Sequence, residues 1–344
     1  MQAPAEQLQG RKLDQGWTVS ERIERRAKAT GGTFSVGYVL ESPEHGRAYL
    51  KALDFSAALK SDDPSTALQA MTAAYNFERD LCRLCRERRL SRVVRAIDDG
   101  RLVVDPANPA TVVQYLVFEL ADGDIRSQLD SIDRFDTAWA LRSLHHIATG
   151  LQQLHTVGVA HQDLKPSNVL VFQNVSKVAD LGRAATRGSL GPFDRLPVAG
   201  DASYAPPELL YGWQDADWSR RRLGCDAYLL GSMVVFFFAR VSMTPLVLSE
   251  LHADHHWKNW GGDFAEILPY LRDAFGRALH KFVCDVPTEL STELVQLVRE
   301  LCEPDPTRRG FPQDVGNSSQ FSLHRYISRF DRLASRSEYN LWRR

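Results

Sequence analysis

Lysine is scarce in this chain of 344 residues: there are eight, against 34 arginines. Cysteine is scarcer, and the five present are odd in number and scattered. That distribution suits a reducing compartment better than a disulfide framework. Cys82 and Cys85 form a C-x-x-C, but no second pair completes a zinc site. On a helix the spacing places both thiols on one face, as core packing would. Neither sign of charge is in excess: 42 basic and 43 acidic residues leave a formal net charge of −1. Nothing global therefore points to nucleic acid or a membrane surface. The amino terminus has no apolar signal-peptide core. The most apolar run, 227–239, is shorter than the roughly 20 residues a bilayer needs. These absences lead to the expectation of a soluble, cytoplasmic protein without a membrane span. No internal repeat or low-complexity segment is present, and 44% hydrophobic content suffices for one large domain or two lobes.

What is present is organised around His161-Gln162-Asp163-Leu164-Lys165-Pro166-Ser167-Asn168. A helical pattern precedes it, with Leu141, Leu144, Ile147 or Ala148, Leu151 and Leu154 three or four apart. A short apolar strand, 169–172, follows, and Pro166 forbids a helix through the middle. The polar residues thus sit on a tight loop between two buried elements. Asp163 can accept a proton, Lys165 can steady an anion, and Asn168 can offer an amide oxygen to a hard cation. A second strand then delivers Asp180 and turns on Gly182. A base, a cation and two metal ligands are what phosphoryl transfer requires, because its catalysis is mostly positioning and charge neutralisation.

The spacing H-x-D-x-K-x-x-N followed by D-x-G resembles the protein kinase superfamily, and Lys165 resembles its serine/threonine branch. The resemblance extends in both directions. Thr30-Gly31-Gly32-Thr33-Phe34-Ser35 is similar to the phosphate-binding glycine loop, with Ser35 near the third glycine. Ala48-Tyr49-Leu50-Lys51 resembles the V-A-I-K strand. Asp63-Pro64-Ser65 reads as a helix start, and Met71, Tyr75, Leu81, Cys82 and Cys85 then form an apolar stripe. Glu78 falls on that stripe, where a carboxylate is costly unless paired. The resemblance makes Lys51 its partner. The buried strand 115–120 breaks at Ala121-Asp122-Gly123-Asp124, similar to an interlobe hinge. The resemblance implies that Phe118 gates the back of an adenine pocket, that Glu119 and Ala121 hydrogen-bond the base through backbone groups, and that Asp124 faces the ribose.

Further along, Ala205-Pro206-Pro207-Glu208 resembles the A-P-E element, with Pro206 at the alanine. Asp226-Ala227-Tyr228-Leu229-Leu230-Gly231 resembles D-x-W-x-x-G and opens a helix apolar all round, which must be central. Asp305-Pro306-Thr307-Arg308 resembles the late D-P-x-x-R element, which implies an Arg308–Glu208 pair. Two positions depart from the family pattern. Gln162 replaces the usual arginine, implying that ordering of the activation loop does not depend on a phosphate there. Asp201 falls where a threonine is usual: either it competes for Lys165, or Ser203 supplies the hydroxyl and Asp201 turns to solvent.

The resemblance implies an α+β, two-lobed fold. Residues 1–16 are expected as a flexible leader, 17–120 as a β-rich lobe with one main helix, 121–316 as a mainly helical lobe, and 317–344 as a basic, solvated tail helix. It further implies ATP and Mg²⁺ between the lobes, with Asp163 and Lys165 at the reacting groups and Asn168 and Asp180 on metal. The substrate would be a serine or threonine of a protein. Residues 250–262, rich in His and Trp, or the tail could serve a regulatory partner. A pseudokinase that binds partners without chemistry is the first alternative, favoured by the poor glycine loop. A small-molecule kinase of the aminoglycoside type is the second, disfavoured by the Pro207-Glu208 element.

Overall fold

The structure is a computed structural model, and it describes residues 2–24, 35–108, 111–131 and 134–342, the side chains of the last two excepted. Gly31 and Gly32, and with them most of the glycine loop, lie outside the described residues.

The first lobe is an antiparallel sheet. Its strands are β1 (Thr18–Arg22), β2 (Ser35–Ser42), β3 (Gly46–Leu53), β4 (Ala96–Val103) and β5 (Val112–Glu119), in the spatial order β1-β2-β3-β5-β4. Alternation decides which side chains go where. On β3, Ala48, Leu50 and Ala52 enter a buried cluster with Val113, Tyr115 and Val117 of β5. Tyr49 and Lys51 therefore project from the opposite face, towards the second lobe. β4 is a single edge strand with a bulge between Ala96 and Asp98. At an edge one face meets water, so the polar Asp98-Asp99 does not interrupt pairing.

Residues 2–16 are not a loose leader. Ala5, Leu8, Leu13 and Trp17 close the outer face of the sheet, and the Tyr38 hydroxyl donates to the Ala5 carbonyl at 2.7 Å. Four apolar anchors among many polar residues were enough to fold the segment down, and the average polarity concealed them.

Between β3 and β4 run the short α1 (Ser56–Leu59) and the long α2 (Pro64–Glu87). Asp63 caps α2 by accepting from the Thr66 N–H, and Pro64 occupies the first turn, where no N–H is needed. The helix buries Tyr75, Glu78, Leu81, Cys82 and Cys85. Both thiols are free, and burial pushes Cys85 up to about 12, as befits packing groups.

The second lobe begins at β6 (Gly123–Asp124) and α3 (Ile125–Ser131), followed by α4 (Thr137–Thr156) and β7 (Val159–Ala160). The hairpin β8 (Val169–Phe172) and β9 (Val175–Val178) and the short β10 (Ala185–Thr186) follow. The remainder is helical: α5 (Pro207–Leu210), α6 (Gly224–Ala239), α7 (Met243–Leu248), α8 (Phe264–Val283), α9 (Thr288–Leu301) and α10 (His324–Trp342). The apolar positions read on α4 are all buried. A π-helical turn, Ser219–Leu223, runs directly into α6. The combined 21-residue stretch is long and apolar enough to cross a membrane by length and composition, unlike the shorter run read from sequence. It is instead mostly buried at the centre of the helical lobe.

α10 departs from the solvated tail expected. It packs along α4 and buries Tyr326, Phe330, Leu333 and Ala334. Its arginines meet acids on α9: Arg329 reaches Glu300 at 2.8 Å and Arg336 reaches Glu293 at 3.1 Å. The aromatic loop before α8 is also folded onto the lobe. His255 stacks on Tyr270, with ring centroids 4.0 Å apart, and its carbonyl accepts from the Tyr211 hydroxyl at 2.6 Å.

Candidate active site

The cleft between the lobes collects the polar groups that the sequence scatters over 150 residues. From β3, Lys51 Nζ donates to Glu78 Oε1 on α2 at 2.7 Å and to Asp180 Oδ1 at 3.2 Å. Burial disfavours the ammonium, but the two carboxylates outweigh it and raise the Lys51 pKa. The Lys51 charge holds Asp180 below the usual carboxylate range, whereas burial pushes Glu78 up. The pairing read for Glu78 is thus the one observed, and it fixes α2 against the sheet.

Asp180 sits in left-handed backbone, φ +61°, at the end of β9. Leu181 follows it into the core, so the apolar neighbour anchors the turn that aims the carboxylate into the cleft. Across from it lies the loop between β7 and β8. Asp163 accepts from Asn168 Nδ2 at 3.0 Å through Oδ2 and from the Asp201 N–H at 2.8 Å through Oδ1, with Lys165 Nζ 3.1 Å from Oδ2. Because Asn168 spends its amide nitrogen on the carbonyl and carboxylate of Asp163, its Oδ1 is the atom left to meet a cation. With Asp180 this gives an oxygen donor set of the kind a hard divalent ion prefers.

The loop is held from behind by Asp226, fully buried at the start of α6. It accepts from the backbone N–H of His161 at 2.7 Å and of Gln162 at 2.8 Å, and it contacts His155 Nε2 at 2.8 Å. These bonds stabilise Gln162 at φ +65°, a conformation costly for a non-glycine residue. The ring of His161 is fixed in one tautomer. Its Nδ1 accepts from the Asp163 N–H, so Nε2 carries the proton and donates to the Ala179 carbonyl at 2.9 Å. The anchoring role of His155 was not read from the sequence, where a histidine at the end of α4 has no distinguishing spacing.

Gly200 brings the following segment against this loop. A Cβ there would lie 2.4 Å from the Gln162 carbonyl oxygen and 2.7 Å from Asp163 Oδ1. Only glycine permits the approach that lets Asp201 N–H reach Asp163. The two readings of Asp201 are separated by the geometry. Its carboxylate lies 3.7 Å from Lys165 Nζ, while the exposed Ser203 donates to Asp201 at 2.6 Å and touches neither Asp163 nor Lys165 among the described contacts. Burial works against the Asp201 charge, but the Ser203 hydrogen bonds and Lys165 hold its pKa below the usual value.

One pairing read from the sequence is corrected. Arg308 is exposed, and the partner of Glu208 is Arg309, with two parallel bonds of 2.6 and 2.7 Å. In Asp305-Pro306-Thr307-Arg308-Arg309 both arginine N–H groups bond the Asp305 carbonyl, and it is the side chain four residues after Asp305 that turns inward to Glu208. The D-P-x-x-R spacing counted from Asp305 ends on Arg309, one residue beyond Arg308.

At the hinge, Phe118 is half-buried and its ring lies 6.5 Å from that of Tyr49. Glu119 pairs with Lys177 at 2.7 Å, and Asp124 accepts from the N–H and hydroxyl of Ser127, both at 2.8 Å, which caps α3. Ala121 lies in the connection between β5 and β6, and Ser35 opens β2. Phe118, Glu119, Ala121 and Asp124 thus follow one another along the connection from β5 through β6 to α3.

The lysine–carboxylate cluster of one lobe and the Asp163 loop of the other therefore face each other, and the sequence family agrees. The family model described as the protein kinase domain matches residues 47–321. The chain belongs to the protein kinase family. Among curated relatives, this kinase is 31% identical over 206 residues to the mouse hormonally up-regulated neu tumor-associated kinase, covering 57% of this chain and 24% of that protein. It is 31% identical over 193 residues to a rice mitogen-activated protein kinase 4, covering 53% of this chain and 51% of that one. An Aurora kinase of Debaryomyces hansenii is 26% identical over 315 residues, 89% of this chain and 66% of that one. The kinase spans about a quarter of the length of the first of these relatives and half that of the second.

Proposed function

We propose that this kinase is catalytically active and transfers the γ-phosphoryl group of ATP to a serine or threonine hydroxyl of a protein, with Mg²⁺ held by Asn168 and Asp180. The observation that carries the reading is the simultaneous presence of Lys51–Glu78 at 2.7 Å and of Asp163 held by Asn168 and Lys165. In that arrangement Lys51 positions the α- and β-phosphates. Asp163 orients the acceptor hydroxyl and takes its proton as the new O–P bond forms. Lys165 balances the charge on the transferring group, and Asn168 and Asp180 would hold a metal that, when bound, would supply charge neutralisation to the phosphates. The backbone of Glu119 and Ala121 at the hinge receives the base, with Phe118 behind it and Asp124 at the ribose edge. Lys165 supports the serine/threonine branch, as do the relatives' names. A small-molecule kinase is the weaker reading, because the buried Glu208–Arg309 pair supports a protein kinase large lobe. The even charge balance and scattered free thiols support a cytoplasmic protein. A regulatory partner at the loop 250–262 or along α10 would have to bind surface that already packs on this lobe.

The test is incorporation of labelled phosphate from ATP into proteins of a whole lysate, followed by phosphoamino-acid analysis. A positioned general base contributes about 10²–10⁴-fold, so Asp163→Ala should nearly abolish incorporation, as should Asp180→Ala. Undiminished labelling in either variant would refute the mechanism. Nucleotide binding without any transfer by the wild type would favour the pseudokinase.

A further inference from the structure

Tyr49 and Gly37 are neighbours on adjacent strands, and each departs from the family pattern at a place where the other compensates. In Ala48-Tyr49-Leu50-Lys51 the tyrosine stands at the alanine of V-A-I-K. Counting on from Ser35, Gly37 stands at the valine that ends the glycine-loop pattern. A Cβ at Gly37 would lie 2.8 Å from the Tyr49 hydroxyl oxygen and 3.0 Å from its ring carbon Cε2. Gly37 takes no positive φ, so it is needed for space and not for conformation. The tyrosine ring thus fills, from β3, the volume that a side chain on β2 would occupy.

The ring also lies between the lysine and the hinge in strand register. Tyr49 projects from the same face of β3 as Lys51, two residues nearer the hinge. In register, Lys51 is opposite Leu116, while Tyr49 is opposite Phe118, which leads directly into Glu119 and Ala121. Between the lysine that would meet phosphates and the hinge that would meet the base edge, the exposed ceiling of the cleft is therefore the half-buried Tyr49 ring.

We propose that Tyr49 is the specificity-determining ceiling of the nucleotide site, against which the purine stacks, and that Gly37 exists to make room for it. This rests on the nucleotide reading given above. Base–aromatic stacking is worth enough that removing the ring lowers affinity by on the order of ten-fold. The hydroxyl takes no part in the stack.

The experiment titrates Mg²⁺–ADP into wild type, Tyr49→Ala, Tyr49→Phe, Gly37→Val and the double variant Gly37→Val/Tyr49→Ala by calorimetry, with the thermal midpoint of each recorded. Wild type and Tyr49→Phe should bind within about two-fold of each other, while Tyr49→Ala loses on the order of ten-fold. Gly37→Val should bind poorly beside the tyrosine, and the double variant should bind like Tyr49→Ala alone, because removing the ring relieves the clash with the valine but not the loss of the stack. Equal affinity in wild type and Tyr49→Ala overturns the proposal while leaving the nucleotide reading intact, as do losses that simply add in the double variant. Absence of binding by wild type overturns the nucleotide reading and this proposal with it. If Tyr49→Ala fails to fold, Tyr49→Leu takes its place: retained affinity with the aliphatic side chain overturns the stack, and a similar loss supports it.

Discussion

Lys165 is asked to serve two carboxylates at once. It lies 3.1 Å from Asp163 and 3.7 Å from Asp201, and its side chain is almost wholly buried between them. An ammonium shared in this way is partly withdrawn from an incoming phosphoryl group. A threonine at 201 would keep a hydroxyl beside Asp163 and Lys165 without the competing charge. We expect Asp201→Thr to raise kcat/KM on a protein substrate. Ser203→Ala should change it little or lower it modestly, since among the described residues the Ser203 hydroxyl donates to Asp201 and helps hold that carboxylate off Lys165. Steady-state kinetics of the two variants decide the matter: a rate lowered in Asp201→Thr and lowered further in Ser203→Ala would show that the serine is the working hydroxyl. The residue scale is also where reading the sequence proved most exposed to error. Glu78 could be placed because a carboxylate on an apolar stripe demands a partner. Arg308 falls one residue short of the D-P-x-x-R spacing, which counted from Asp305 ends on Arg309, the arginine whose side chain reaches Glu208.

The segment from Asp180 to Glu208 is ordered by charges already in the chain. Arg222, in the turn before α6, meets Asp194 at 2.6 Å with both side chains nearly buried. The same guanidinium donates to Gln162 Oε1 at 3.2 Å, while the Gln162 amide donates to the Arg222 carbonyl and to Asp226. Gln162 thus binds the cation that an arginine in its place would repel, and a carboxylate supplies the negative charge that a phosphate would otherwise bring. Thr186 and Ser189 bond each other and are held outside this network. Thr186→Ala with Ser189→Ala should accordingly leave kcat within a few-fold of wild type. Asp194→Asn should lower it by about ten-fold or more, the equivalent of at least about 1.4 kcal/mol, because removing one member of a buried pair strands the other. Loss of activity in the double alanine variant would overturn this. The neutrality of Gln162 was visible in the sequence, but its partners were not. Arg222 and Asp194 are separated from it by tens of residues, one in a π-helical turn and the other in irregular chain, where neither α-helical nor strand periodicity predicts contacts. The motifs on β3, α2, β8 and β9 were legible for the opposite reason, since each polar residue interrupts a regular apolar pattern.

At the scale of the whole molecule, α10 closes the helical lobe. α4 carries a polar stripe, Arg142, His145, Thr149 and Gln152, that is half-buried because chain arriving late in the sequence covers it. α10 does this with Tyr326, Phe330, Leu333 and Ala334, and Arg142 of α4 reaches across to Asp331 and Glu338 at 2.5 and 2.8 Å. Six arginines against two acids over 317–344 suggested a solvated surface. The charge count was misleading because half of an amphipathic helix is polar whether its other half is buried or free. The two roles make opposite forecasts. If α10 were a docking tail, its exposed arginines would matter and its apolar side would not. In the packed arrangement, Phe330→Ala should destabilise the lobe by about 3–5 kcal/mol, the usual effect of emptying a buried aromatic site. Arg332→Ala, at an exposed position, should stay within about 0.5 kcal/mol of wild type. Urea denaturation followed by tryptophan fluorescence measures both. Trp139 on α4 packs edge-on against Phe237 of α6, with centroids 5.7 Å apart, and so reports the helical lobe directly. A Phe330→Ala midpoint indistinguishable from wild type would mean that α4 keeps its cover without α10, and that the carboxy-terminal helix is not part of the fold's core.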